Sequence, residues 1–179
     1  MKKGVMQGVI AVLLGLVLVT TPATAQVKFG LGIGPTIPQG TFKDGFKIGF
    51  HAVAIANFDL TAKPISFRAD AVYNVNKCDI SGCGNITSNL LTLSGDVAYN
   101  FPTARAHPYL LGGVTWARAS LGGSDAPPGI SAQSDIGFNV GGGLHFDLGP
   151  TKAFVEARYF GIGGNVDAHF IPISFGIRF

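Results

Sequence analysis

Between residues 135 and 148 the chain alternates almost without interruption. Ile136, Phe138, Val140, Leu144, Phe146 and Leu148 fall on one side, and Asn139, Gly141, Gly143, His145 and Asp147 on the other. Period two is the signature of a strand with two unlike faces. Seven further segments repeat it. In 26–34, Val27, Phe29, Leu31 and Ile33 oppose Lys28, Gly30, Gly32 and Gly34. In 64–75, Ile65, Phe67, Ala69, Ala71, Tyr73 and Val75 oppose Ser66, Arg68, Asp70 and Asn74. In 88–101, Leu91, Leu93, Val97, Tyr99 and Phe101 oppose Thr92, Ser94, Asp96 and Asn100. In 152–161, Val155, Ala157 and Tyr159 oppose Glu156 and Arg158. In HFIPISFGIRF, residues 169–179, the row Ile171, Ile173, Phe175, Ile177 and Phe179 opposes Ser174, Gly176 and Arg178. Segments 46–58 and 108–118 also read as strands, but either face of each could be the apolar one.

The connections alternate in length. PTIPQGTFKDG, NKCDISGCGNITS, SLGGSDAPPGISAQS and GIGGNVDAH follow the odd strands, while DLTAK, PTARAH and GPT follow the even ones. Long loops at one end and short turns at the other are the habit of barrels that cross an outer membrane, whose strands need about 9–11 residues to span. Polarity decides which face is inside. One face is Phe, Ile, Val, Leu and Tyr; the other mixes Gly, Ser, Asn and charges of both signs. Packing those charges into the core of a soluble barrel costs heavily. Turned outward, the apolar face meets lipid, the polar face fills the lumen, and closure pairs every backbone group and removes the exposed edge. The expectation is an all-β, eight-stranded, antiparallel up-and-down transmembrane barrel.

The first residues add a route to that membrane. Lys2 and Lys3 precede the apolar run Val9 to Val19, and TTPATA ends in small residues at Ala23 and Ala25. This predicts a Sec-type secretory signal over 1–25, cleaved after Ala25, with the barrel domain over 26–179. The signal holds two of the 13 basic residues and none of the 10 acidic ones, so eleven face ten and the remainder carries +1. No charged block points to nucleic acid. Elsewhere no apolar run is long enough for a membrane helix, and 26 glycines disfavour helix.

The stretches GLGIGPTIPQG near the start of the barrel, HPYLLGGV at 107–114 and the terminal FGIRF are similar to the small eight-stranded outer-membrane barrels of the OmpA/OmpX-like family. The resemblance covers nearly all of 26–179. It implies that Ile173, Phe175, Ile177 and Phe179 form the terminal signal read by the barrel-assembly machinery. It also implies contact with outer-membrane lipids and lipopolysaccharide, a bacterial outer-membrane location, and a monomer. Pro172 departs from the pattern, since proline deletes a ladder donor, and is expected at a bulge in the outer half of the last strand.

Candidate chemistry is sparse. Cys78 and Cys83 share one long loop, and in an exported chain they are expected to form a disulfide. Lys28, Arg68, Asp70, Asp96, Asp147, Glu156, Arg158 and Arg178 fall on the polar face and are expected to form a structural lumenal charge network, with Glu156 and Arg158 pairing across to Arg68, Asp70 or Asp96. Tyr73, Tyr99, Tyr109, Trp116 and Tyr159 are candidates for interfacial girdles. His51, His107, His145 and His169 lie on different strands with no serine in a catalytic spacing. His145 and Asp147 share a face, but toward the short-turn end. No catalytic residue, metal site or cofactor is therefore assigned. GLGIGP and VGGG lack the following helix that a nucleotide loop needs. The reading is a structural or surface-binding barrel. The alternatives are an outer-leaflet lipid-modifying enzyme, in which His169 would matter, and a narrow channel.

Overall fold

The computed structural model describes residues 26–60, 64–102, 106–127 and 129–179. The signal expected over 1–25 lies outside them. The described residues form strands β1 (Gln26–Gln39), β2 (Gly49–Asp59), β3 (Ile65–Lys77), β4 (Thr87–Asn100), β5 (Ala106–Gly122), β6 (Gln133–Leu148), β7 (Thr151–Ile162) and β8 (Ala168–Arg178), with one short helix, α1 (Gly40–Gly45). Each strand pairs antiparallel with its neighbours and β1 closes on β8, so the sheet is a complete barrel. The last residue is stitched into the closure: the Phe29 and Phe179 backbones exchange hydrogen bonds of 3.0 and 2.9 Å. The chain therefore ends without an unpaired hydrophobic edge.

The apolar rows face outward and stay exposed, Phe50 reaching 74%, Ile136 70% and Ile33 69%. That is the lipid-facing band of an outer-membrane barrel. The two ambiguous strands resolve. On β2, His51, Val53, Ile55 and Asn57 point inward, leaving Phe50 and three alanines outside. On β5, Tyr109, Leu111, Thr115 and Ala117 point inward and Leu110, Val114 and Trp116 outward.

Three expectations need correction. The first long loop begins later than its prolines suggest, because β1 continues through Pro35 and Pro38 to Gln39. The donor missing at Pro35 falls in a local gap in the ladder, where pairing with β8 skips Gly34 and Pro35 and resumes at Thr36↔Pro172, and Pro38 lies beyond the end of the pairing with β2. Pro172 sits at no bulge. It faces the lumen, and the β1–β8 register is the same on both sides of it. Tyr109 is no girdle residue; it is buried in the lumen, whereas Tyr73, Tyr99 and Trp116 are exposed on the outer face.

Candidate functional site

Five charged side chains meet at mid-height in the lumen. Arg68 and Asp96 lie directly opposite each other on β3 and β4, and β7 contributes Glu156 and Arg158 from across the barrel. Arg68 donates from Nη2 to Glu156 Oε1 (3.0 Å), from Nη1 to Glu156 Oε2, and from Nε to Asp70 Oδ2 (3.0 Å). Arg158 holds Asp70 with both Nη atoms, each at 2.9 Å, and its Nη1 also reaches Asp96 Oδ2 at 3.0 Å. Its Nε lies 3.1 Å from Glu156 Oε1. The remaining acceptor capacity is filled by neutral donors: Tyr109 donates to Glu156 Oε2 (2.6 Å) and Asn139 to Asp96 Oδ1 (2.7 Å). All five charged groups are buried. Paired, forked contacts of this kind are what let charge persist away from water. Space for the long side chains comes from glycine: in the β6–β7 register Gly141 stands opposite Arg158 and Gly143 opposite Glu156.

Of the eight charges read as lumenal, Arg68, Asp70, Asp96, Glu156 and Arg158 thus converge. Lys28 and Asp147 do not join them. Both have the lumenal parity, but they lie near the strand ends at the short-turn mouth, where each is partly solvated and takes a nearer partner: Lys28 with Asp59 at 2.8 Å, and Asp147 with Lys152 at 2.9 Å and His107 at 3.1 Å. Arg178 is buried near that same mouth, donating to His145 Nε2 at 2.6 Å. Ile173, Phe175, Ile177 and Phe179 share the outward face of the closing strand.

Above the charges, toward the long loops, the lumen holds an apolar layer beside the buried polar side chains Thr36, His51, Asn74, Asn76 and Ser88. Phe160 and Phe170 stack at 4.9 Å with ring planes 2° apart, packed with Leu90, Ala117, Ile162 and Ala168. Helix α1 lays Phe42 over them, 6.5 Å from Phe170 and 4.9 Å from Phe46. A cavity of about 370 Å³ remains beside this cap, lined by Phe42, Phe46, Leu90, Leu121, Ile130 and Val166 among others. The loops around it are pinned. Cys78 and Cys83 form a disulfide. Asp125 accepts from the Asn85 amide at 2.7 Å, and Asp135 accepts from the Asn165 and Val166 amides at 2.6 and 2.9 Å.

Two histidines lie within reach of hydroxyl groups. His51 Nε2 is 2.8 Å from Ser174 Oγ and its Nδ1 is 3.1 Å from Thr36 Oγ1, while Thr36 donates to Asn74 Oδ1 at 2.8 Å. His51 and Ser174 are each 4% exposed, and the group beyond the imidazole is a threonine. On the outer face, His169 Nδ1 lies 2.8 Å from the Tyr159 hydroxyl and Nε2 lies 3.7 Å from Asp167. Among the described residues no three His, Cys, Asp or Glu side chains gather as a metal site. The sequence left the His51 chain and the Phe42 cap unread. The one signal for the former was a polar position, Ser174, on the same face as the charges; for the latter, an aromatic pair Phe42/Phe46 beside a long loop.

The sequence model for the outer membrane protein β-barrel domain matches residues 11–179. No curated protein sequence matches the chain. Among solved structures the fold is similar to Neisserial surface protein A, with TM-score 0.70 and 23% identity over 85% of this chain and 95% of that one. It is similar to Ail, the attachment invasion locus protein of Yersinia pestis, with TM-score 0.59 and 12% identity over 87% and 99%. It is also similar to the outer membrane enzyme PagL, with TM-score 0.51 and 18% identity over 84% and 97%. At these identities the likeness is one of fold.

Proposed function

The chain belongs to the outer membrane protein β-barrel domain family, and on that premise we propose that it is a non-conducting, monomeric structural barrel whose loop end serves as a binding surface. The observation that carries this is the filled lumen: the buried five-charge cluster occupies it at mid-height, and Phe42, Phe160 and Phe170 pack above that cluster. An eight-stranded barrel has an interior just wide enough for side chains to fill. In planar bilayers the purified protein should give no discrete conductance steps; regular steps of one size would overturn the reading in favour of the channel.

Export follows the signal over 1–25, and the folded barrel starts at Gln26. Edman sequencing of the membrane-fraction protein should begin there. The terminal row Ile173, Phe175, Ile177 and Phe179 engages the assembly machinery, and the exposed belt contacts outer-membrane lipids and lipopolysaccharide. The pinned loops and their apolar cavity support surface binding, since a scaffolded loop cluster is where a barrel presents itself.

The enzyme alternative is disfavoured by geometry. A lipid-cleaving serine must be reachable from the outer leaflet and paired with an oriented histidine. Ser174 and His51 form such a pair but are sealed inside the lumen. His169 is on the lipid side, yet its hydrogen-bond partner is a phenol. Lipid mass spectra of cells expressing the protein should be unchanged. A new deacylated or acylated species lost on H169A would restore the enzyme reading.

A further inference from the structure

Arg178 differs from the other buried arginines. Arg68 and Arg158 each touch two or more carboxylates. Arg178 is only 7% exposed, and no carboxylate of the described residues comes within 4.0 Å of its guanidinium. Among the described residues only Nη1 has an acceptor, His145 Nε2 at 2.6 Å. That contact fixes the imidazole. Arginine can only donate, so Nε2 accepts and the ring proton sits on Nδ1. His145 Nδ1 and Arg178 Nε are then both buried donors with no partner among the described residues. The imidazole, itself 5% exposed, is held flat by Tyr109, stacked at 4.3 Å and 11°.

Arg178 and His145 form one wall of a cavity of about 290 Å³ at the short-turn mouth, also lined by Lys28, Asp59, Asn100, His107 and Lys152. The charges there do not balance. Among the described residues Asp59 pairs with Lys28 and Asp147 with Lys152, which leaves Arg178 without a paired carboxylate. A buried charge without a counter-charge is among the most costly arrangements in a protein. The cavity and the unpaired guanidinium charge have one common solution.

We propose that the short-turn mouth is an oxyanion site, in which the Arg178 guanidinium takes one phosphate group, with the ammonium of Lys152, its register partner on β7, beside it. A planar guanidinium suits a phosphate fork in a way that a lysine does not. The phosphate arrives either as a free small solute or as a lipid headgroup folded into the mouth.

The test uses the full barrel refolded in a phosphate-free amine-oxide detergent and titrated calorimetrically with inorganic phosphate at constant ionic strength. Saturable binding at one site is expected. R178Q should weaken it by about tenfold or more, the value of a lost charge-assisted contact, and K152Q by a few-fold, whereas K43Q, at the opposite end on α1, should leave it unchanged. No saturable binding, or equal binding by R178Q and the parent, overturns the site. Should R178Q fail to refold, R178K keeps the charge without the fork and must bind more weakly than the parent; equal affinity overturns the site in the same way. Two further arms separate the sources. Phosphate affinity that is the same in digalactosyl-lipid vesicles and in phosphatidylglycerol vesicles supports a free solute. Affinity lost only in phosphatidylglycerol supports a headgroup already seated.

Discussion

Toward the long loops, the lumen holds an apolar layer of Phe42, Phe160, Phe170 and Ile162; at mid-height it is filled by Arg68, Asp70, Asp96, Glu156 and Arg158. The two fillings occlude the same barrel but answer to different rules. The aromatic layer tolerates the loss of one member by leaving a void, because its packing is non-directional apart from Phe160, whose ring lies 4.9 Å under the Arg158 guanidinium. The charged layer has no such tolerance, since each group is buried only on the strength of the others. A buried ionic network therefore adds little net stability over an apolar filling, yet is expensive to break.

The sharpest way to break that comparison is to remove one guanidinium. Arg158→Met leaves Asp70 with Arg68 alone and leaves Asp96 with only Asn139. We expect a loss of about 3–5 kcal/mol, the range for stranding a buried charge, measured as the urea midpoint of the barrel refolded into vesicles. Glu156→Gln should fall in the same range, because Arg68 loses its forked partner; an unchanged midpoint would sink the view of the cluster as a mutually dependent unit. Next comes the aromatic layer. Phe170→Ala deletes a fully buried ring from the stack and should cost about 3 kcal/mol. Because the charges below still close the lumen, this variant should remain silent in planar bilayers. Conductance steps from it would show that the aromatic layer alone seals the barrel.

The strand count, the closure and the outward rows were legible because membrane strands carry a period of two, and β3, β4, β6 and β7 follow it over most of their length, although Val72, Leu90, Phe154 and Phe160 put apolar residues on the inner face. The core of the charge cluster was legible for the same reason: parity alone puts Arg68, Asp70, Asp96, Glu156 and Arg158 inside. What parity does not carry is height. Lys28 and Asp147 share the lumenal parity but lie where the strands meet water, so they pair at the mouth. Parity also failed where both faces of a strand are small or apolar. The outer row of β2 is largely alanine and its inner row contains Val53 and Ile55, and Tyr109 on β5 looks as suited to a membrane girdle as to a lumenal hydrogen bond. Pro35 and Pro38 signal a loop by composition, but β8 on one side and β2 on the other hold the chain extended.

The comparison extends to the loops, where smaller effects are expected. The Cys78–Cys83 disulfide closes a short loop, with a sequence separation of 5, and a loop this tight is worth roughly 2 kcal/mol in the chain-entropy model. Replacing both cysteines by serine should lower the midpoint by no more than that, and the exported parent should show no thiol reactive to a maleimide without reductant. Two reactive thiols in the parent would remove the disulfide from the account.

The smallest effect tests whether the loop end is pre-shaped for binding. Asp135, near the start of β6, accepts hydrogen bonds from the Asn165 and Val166 amides, and so ties the last long loop beside the cavity that Val166 helps to line. Gly164 takes a φ of +69° there and comes so close to the Asp135 carboxylate that a side chain would collide with it. Asp135→Ala removes the single oxygen that accepts both bonds while leaving the charge cluster untouched. Global stability should fall by about 1 kcal/mol, because solvent-near amides find water in place of the carboxylate. Amide exchange at 165 and 166 should quicken, while the barrel amides of β6 and β7 keep their protection. Faster exchange spread through those strands would mean that the loop and the wall open together. Loss confined to the loop would mean that the barrel supplies rigidity and the loop end is shaped separately upon it.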